Sequence, residues 1–243
     1  MTLRDKTALV VGGGTGIGAA VALRFAAEGC RVAIAGRRED KLREVAAQHS
    51  GQPPIALRVA DVADRHSVNQ LVDWAQQTLG RIDILVNSAG INVPKRSMAE
   101  LAPEDWDRLL AVNATGAYNC MRAVLPGMLQ RRDGLIINIS SIAGKRAGLL
   151  GGVAYNASKF AMTALGTTVG LEVAEQGIRV STIFPGEVDT PILQNRPVPV
   201  TAEHRARILQ PCDVAAAALM IACLPPRAHV PELIIKPTTQ AYV

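Results

Sequence analysis

The sequence predicts an α/β protein, a doubly wound parallel sheet of about seven strands in a single domain with helices on both faces. Three observations carry that prediction. Hydrophobic residues make up 49% of the chain but aromatics only 3%, so the core must be built from Ala, Val, Leu and Ile, as in strands buried on both sides. Short, continuously apolar runs alternate along the chain with longer stretches of helical periodicity. A glycine cluster at 12–18 separates the first apolar run from the first helical stretch. No repeat, linker or second domain interrupts the alternation, so residues 1–243 are expected to fold as one unit.

Composition excludes several function classes. The formal charge is +5, but Lys and Arg are dispersed in runs of no more than two or three, with few aromatics to stack on bases. A nucleic-acid surface is therefore not expected. A basic surface suits phosphorylated cofactors or small anions instead. Cys30, Cys120, Cys212 and Cys223 are scattered, without a C-x-x-C pair or a His at ligand spacing. They read as reduced thiols of a cytoplasmic protein, and no metal site is expected. Residues 1–6 lead directly into a strand pattern without a signal-peptide core, and the apolar helical stretches carry Asn113, Arg122 or Pro225, so no membrane span is expected.

The first strand, 7–11, is followed by Gly12, Gly16 and Gly18, with Thr15 and Ile17 between them, and then by a helix with Val21, Ala22 and Phe25 on one face. Strand, glycine turn and helix together make a dinucleotide site. The glycines let the backbone turn tightly against a pyrophosphate, and the helix N-terminus offers free N–H groups. The second strand, 31–35, ends at Gly36-Arg37-Arg38. An acid would stand there to hold a ribose 2′-hydroxyl; Gly36 leaves room, and Arg37 and Arg38 can pair with a 2′-phosphate. NADP(H) is expected ahead of NAD(H), which stays open as the alternative.

Tyr155 and Lys159, in a helical stretch spanning 153–176, lie four positions apart and so share one helix face. A nearby ammonium favours a phenolate, so the Tyr155 phenol is expected to be more acidic than its usual value of about 10. With this Tyr-x-x-x-Lys and the Gly-x-x-x-Gly-x-Gly turn, the chain resembles the short-chain dehydrogenase/reductase family, of Rossmann-type fold. Two positions depart from the family pattern, Val11 where relatives have Thr before the first glycine, and Ser88 within Asn87-Ser88-Ala89-Gly90.

The resemblance covers nearly the whole chain, and it implies roles position by position. After a third strand, 55–60, Asp61 and Val62 flank the adenine. After a helix at 67–79 and a strand at 82–86, Asn87, Ala89 and Gly90 lie by a ribose of the cofactor. Asn113, within one long helix at 104–130, opens that helix locally and holds a water joining Lys159 to solvent. Ser141 follows strand 135–139 and steadies the substrate oxygen; no helix is expected directly after it. Beyond strand 178–184, Pro185, Gly186, Val188 and Thr190 grip the nicotinamide carboxamide, while Tyr155 and Lys159 contact its ribose. Residues 191–210 form a substrate lid, and a helix at 213–224, a strand at 232–236 and a tail at 237–242 complete the chain.

The implied activity is NADP(H)-dependent interconversion of a ketone or aldehyde with an alcohol, in a homo-tetramer or homo-dimer assembled through the two long helices. The alternatives are an NAD-dependent alcohol or hydroxy-acid dehydrogenase and a cofactor-binding regulator without catalysis. Reductases of protein-carried acyl groups place an Arg before the Gly that closes the catalytic helix, where this chain has Gln176. Walls at 91–96, 145–152 and 193–196 bring Lys95, Lys145, Arg146 and Arg196 near the substrate, which points to an anion.

Overall fold

The computed structural model describes residues 2–241. Met1 of the N-terminal stretch and Tyr242 of the tail lie outside the described residues. Seven strands, β1 Thr7–Val11, β2 Arg31–Gly36, β3 Ala56–Val59, β4 Ile84–Asn87, β5 Gly134–Ile139, β6 Ile178–Pro185 and β7 Glu232–Ile235, form one sheet in the order β3-β2-β1-β4-β5-β6-β7. Every neighbouring pair is parallel. The order reverses between β1 and β4, which opens a crevice beyond their C-terminal ends.

Alternation along each strand builds two cores. Ala8 and Val10 of β1 face one side, where α1 Gly16–Ala27 packs through Val21, Ala22 and Phe25 against the Val214, Ala215 and Leu219 side chains. Leu9 and Val11 face the other, beneath Leu71 and Val72 and Met121 and Val124. The remaining helices are α2 Glu39–Ala47, α3 Arg65–Leu79, α4 Pro103–Leu110, α5 Gly116–Arg131, α6 Val153–Val173, α7 Ala202–Arg205 and α8 Pro211–Ala222. Among the described residues no helix is long and apolar enough to cross a membrane.

The expected single helix at 104–130 is instead three pieces. Between α4 and α5, Ala111–Thr115 widens into a π-turn. Asn113 sits in it, fully buried, and its amide turns away from the helix to pair with the backbone of Ile91. A second difference lies after β5, where a 3-10 turn, Ile142–Gly144, begins at once. Ser141 caps it, accepting from Ala143 N at 3.1 Å, so its hydroxyl has a structural duty that was not expected. The stretch expected as a lid carries a 3-10 turn, Pro191–Asn195, and α7.

Candidate active site

A cleft of about 700 Å³ lies at the C-terminal ends of the strands. One end is built for an anion. Thr15 occupies the N-cap position of α1 but makes no capping bond with its side chain, so that side chain leaves the first N–H groups of the helix to the cleft. Gly12 (φ +79°) lets the turn close, because a Cβ there would lie 2.5 Å from Ala89 N. The Arg38 guanidinium donates to Thr15 Oγ1 at 3.3 Å. Arg37, Arg38 and Lys41 line the same end, and a Cβ on Gly36 would meet only Leu42 Cδ2, at 3.7 Å. An uncapped helix N-terminus beside glycines and cations fits the diphosphate of a dinucleotide. Lys41 was missed by sequence reasoning, since its position in a solvated helix, paired with Glu44 at 2.7 Å, carries no motif.

Most residues expected at the cofactor do line the cleft. These are Gly12, Thr15, Gly16, Ile17, Arg37, Arg38, Asp61, Val62, Ala89, Gly90, Pro185, Gly186, Val188 and Thr190, with Ser141, Tyr155 and Lys159. Three expected residues do not line it. Gly18 lies beneath the turn, where a Cβ would stand 2.2 Å from Gly12 O. Asn87 turns into the sheet and donates to Asn138 Oδ1 at 2.9 Å, which leaves the strand end to its neighbours Ala89 and Gly90. Asn113 stands one layer back: its Oδ1 accepts from Ile91 N at 2.8 Å, and its Nδ2 donates to Ile91 O and to Ser158 Oγ, each at 3.0 Å. Asp61 lines the cleft while its Oδ1 accepts from Ala63 N at 3.0 Å.

The other end gathers Ser141, Tyr155 and Lys159. Burial raises the Tyr155 pKa above the usual 10, and a hydrogen bond with the Ser141 hydroxyl and the charge on Arg96 pull it back. This corrects the expectation that Lys159 dominates the phenol. The Lys159 ammonium stands 5.7 Å from the centre of the Tyr155 ring and donates to Ile139 O at 2.9 Å. Burial lowers its own pKa from 10.5 to about 8. Desolvation is the largest cause at Tyr155 and the one cause at Lys159, because each is removed from water.

The bases expected around the substrate divide. Lys145 is paired with Glu232 over the Phe184 ring, outside the cleft lining, and Lys95 is exposed to solvent. Arg146 and Arg196 line the cleft, and so does Arg96, which was expected only as the edge of a wall. Gln240, near the C-terminus, also lines it and accepts from Glu187 N at 3.0 Å; that contact joins residues 53 positions apart and leaves no local pattern to read. Among the described residues no group of His, Cys, Asp and Glu could hold a metal ion.

An uncharacterized oxidoreductase of Staphylococcus saprophyticus is 36% identical over 241 residues, covering 97% of this chain and 98% of the relative. An alcohol dehydrogenase from the archaeon Thermococcus sibiricus, solved with 5-hydroxy-NADP, superposes with a TM-score of 0.88 at 26% identity, over 98% of this chain and 99% of that one. A 3-ketoacyl-(acyl-carrier-protein) reductase from Brucella melitensis, solved with NADH, gives 0.87 at 30% identity, over 97% and 98%. The profile described as short chain dehydrogenase matches residues 6–199. With that match spanning most of the sheet and both ends of the cleft, the chain belongs to the short chain dehydrogenase family and is an oxidoreductase of that family.

Proposed function

We propose that this protein interconverts a ketone or aldehyde and an alcohol with NADP(H), using Tyr155 as the general acid and base. The observation that carries this reading is that Ser141, Tyr155 and Lys159 share one cleft with the uncapped N-terminus of α1. When bound, the nicotinamide cofactor supplies or accepts the hydride. Ser141 donates a hydrogen bond to the substrate oxygen as charge builds there. Tyr155, neutral because burial holds its pKa up, gives its proton to that oxygen in reduction and takes it back in oxidation. Lys159, held by Ile139 O, stabilises the phenolate left behind. Asn113 fixes the strand-end backbone at Ile91 and the α6 backbone through Ser158, keeping both walls of the site in register. Arg37 and Arg38 hold the 2′-phosphate, and Gly36 makes room for it.

Positioned acid catalysis is worth about 100- to 10,000-fold. Tyr155→Phe should lose turnover by about that factor while NADPH affinity, read by cofactor fluorescence, changes only a few-fold. A variant that keeps most of its turnover overturns the role given to Tyr155.

A further inference from the structure

Arg96 is a buried cation that forms no ion pair with a carboxylate of the described residues. It precedes α4 and is 8% exposed. Its guanidinium is held by carbonyls of three separate segments: Nε donates to Val93 O and Nη1 to Leu150 O, both at 2.8 Å, and Nη2 donates to Asn195 O. Gly152, at the start of α6, packs so closely that a Cβ there would lie 2.5 Å from Arg96 Cβ. The head group is therefore fixed relative to Tyr155, one turn into α6. Their charges are mutually felt, the guanidinium favouring the phenolate and the phenolate favouring the guanidinium.

Backbone carbonyls satisfy hydrogen bonds but carry no net charge, so the positive charge of Arg96 is solvated only in part. Isolated buried charges cost several kcal/mol unless an anion answers them. None does so among the described residues, where no ion pair includes Arg96. The neighbourhood adds to the excess. Arg196 is close enough to depress the Arg96 pKa, with burial the larger cause. Among the described residues only two acids line the cleft: Asp61 follows β3 at the far end, and Glu187 is already shared between Arg196, at 3.0 Å, and His204 Nε2, at 2.6 Å. Three of the five N–H groups of the guanidinium are used, which leaves one on each terminal nitrogen.

We propose that Arg96 receives a carboxylate of the substrate, so that the protein acts on short oxo acids and their hydroxy acids, with the reacting oxygen at Ser141 and Tyr155. This rests on the reductase reading above. In reduction the oxo-acid carbonyl carbon gains a hydride from the reduced nicotinamide and its oxygen gains the Tyr155 proton, giving the hydroxy acid. The carboxylate is unchanged and serves only to orient the molecule. Charge-assisted hydrogen bonds of this kind are worth about 1.5–3 kcal/mol, or roughly 10- to 100-fold in kcat/KM.

The test compares 2-oxo, 3-oxo and 4-oxo short-chain acids, each against its methyl ester, with wild type, Arg96→Lys and Arg96→Met. At least one acid should exceed its ester about 10- to 100-fold in kcat/KM, mainly through KM. Arg96→Met should erase that ratio and Arg96→Lys should restore part of it. If esters do as well as acids in wild type, or if Arg96→Met slows acid and ester by one common factor, Arg96 is only a staple between three loops and the inference fails, although the reductase reading stands. If no carbonyl is turned over, the reductase reading fails. Binding then decides the inference: in the presence of NADP, malonate but not malonamide should raise the melting temperature of wild type and not that of Arg96→Met, and equal effects of the two probes would overturn it.

Discussion

At Gly36 the absence of a side chain sets the charge of the cofactor end. A Cβ there has only Leu42 Cδ2 nearby, at 3.7 Å, so an acid fits without displacing the fold. Gly36→Asp should place a carboxylate beside Arg37 and Arg38, repel a 2′-phosphate and accept from a ribose hydroxyl instead. The expected result is a fall in kcat/KM with NADPH and a rise with NADH, together moving their ratio by about 100-fold or more, since two charge-assisted contacts change sign. An unchanged ratio would show that the two arginines do not read the phosphate. Lys159 poses the opposite case, a charge that is present and costly. Its folded pKa of about 8 lies below its usual 10.5, so the unfolded chain holds more protons between those values. Stability therefore rises as pH goes from about 8 to 10.5, and below pH 8 roughly 3 kcal/mol is missing. Lys159→Met should raise the denaturation midpoint at pH 7 while turnover is lost, and the stability difference should shrink by pH 10.5. A Lys159→Met protein no more stable than wild type at pH 7 would contradict that assignment. Spacing placed Lys159 on the Tyr155 face correctly, but it could not show that burial governs both pKa values, because desolvation depends on what the rest of the chain stacks above the site.

The π-turn at Ala111–Thr115 shows what element-level reading can and cannot reach. The helical periodicity from 104 to 130 is continuous, so the pattern alone gives one helix. Asn113 was the visible irregularity, since an amide competes for backbone hydrogen bonds and is an indifferent helix former. Its partners, Ile91 and Ser158, lie 22 and 45 residues away, too far along the chain for a local pattern to show them. Strand ends were legible for the opposite reason: β1, β2, β5 and β6 are apolar runs bounded by Gly, Arg, Ser or Pro, a local signal. The 3-10 turn after Ser141 was not legible, because Ile142-Ala143-Gly144 is too short to show a period. Asn113→Ala should remove three hydrogen bonds and leave the Ile91 N–H and C=O without their side-chain partner, while the Ser158 hydroxyl keeps its bond to Tyr155 O, a loss of about 2–4 kcal/mol. Urea denaturation measures it. A loss below about 0.5 kcal/mol would mean the π-turn is held by packing and not by the amide.

Across the whole molecule the two faces of the sheet are covered, yet the outer surfaces of the helices are not uniformly polar. Leu171 and Phe160 on α6, Tyr118 and Leu129 on α5 and Trp106 on α4 are all exposed, Leu171 by 78%. Scattered apolar residues are ordinary on a protein surface, but five large ones on three successive helices of one layer exceed what a solvated face requires. The resemblance implies assembly through the two long helices, here α5 and α6, which supply four of the five. We expect that face to meet a second copy, burying about 1,200–2,000 Å² in a stable contact. A charge at its most exposed position should be tolerated by the monomer fold, since Leu171 lies outside both cores, but not by a dry interface, where an unpaired carboxylate costs several kcal/mol. Leu171→Glu should therefore move the mass by light scattering from a multiple of 25.7 kDa to the single chain, with the melting temperature falling as protein is diluted in wild type but not in the variant. Wild type that already runs as a single chain at micromolar concentration would remove the interface from α5 and α6 and leave Leu171 as an ordinary exposed leucine.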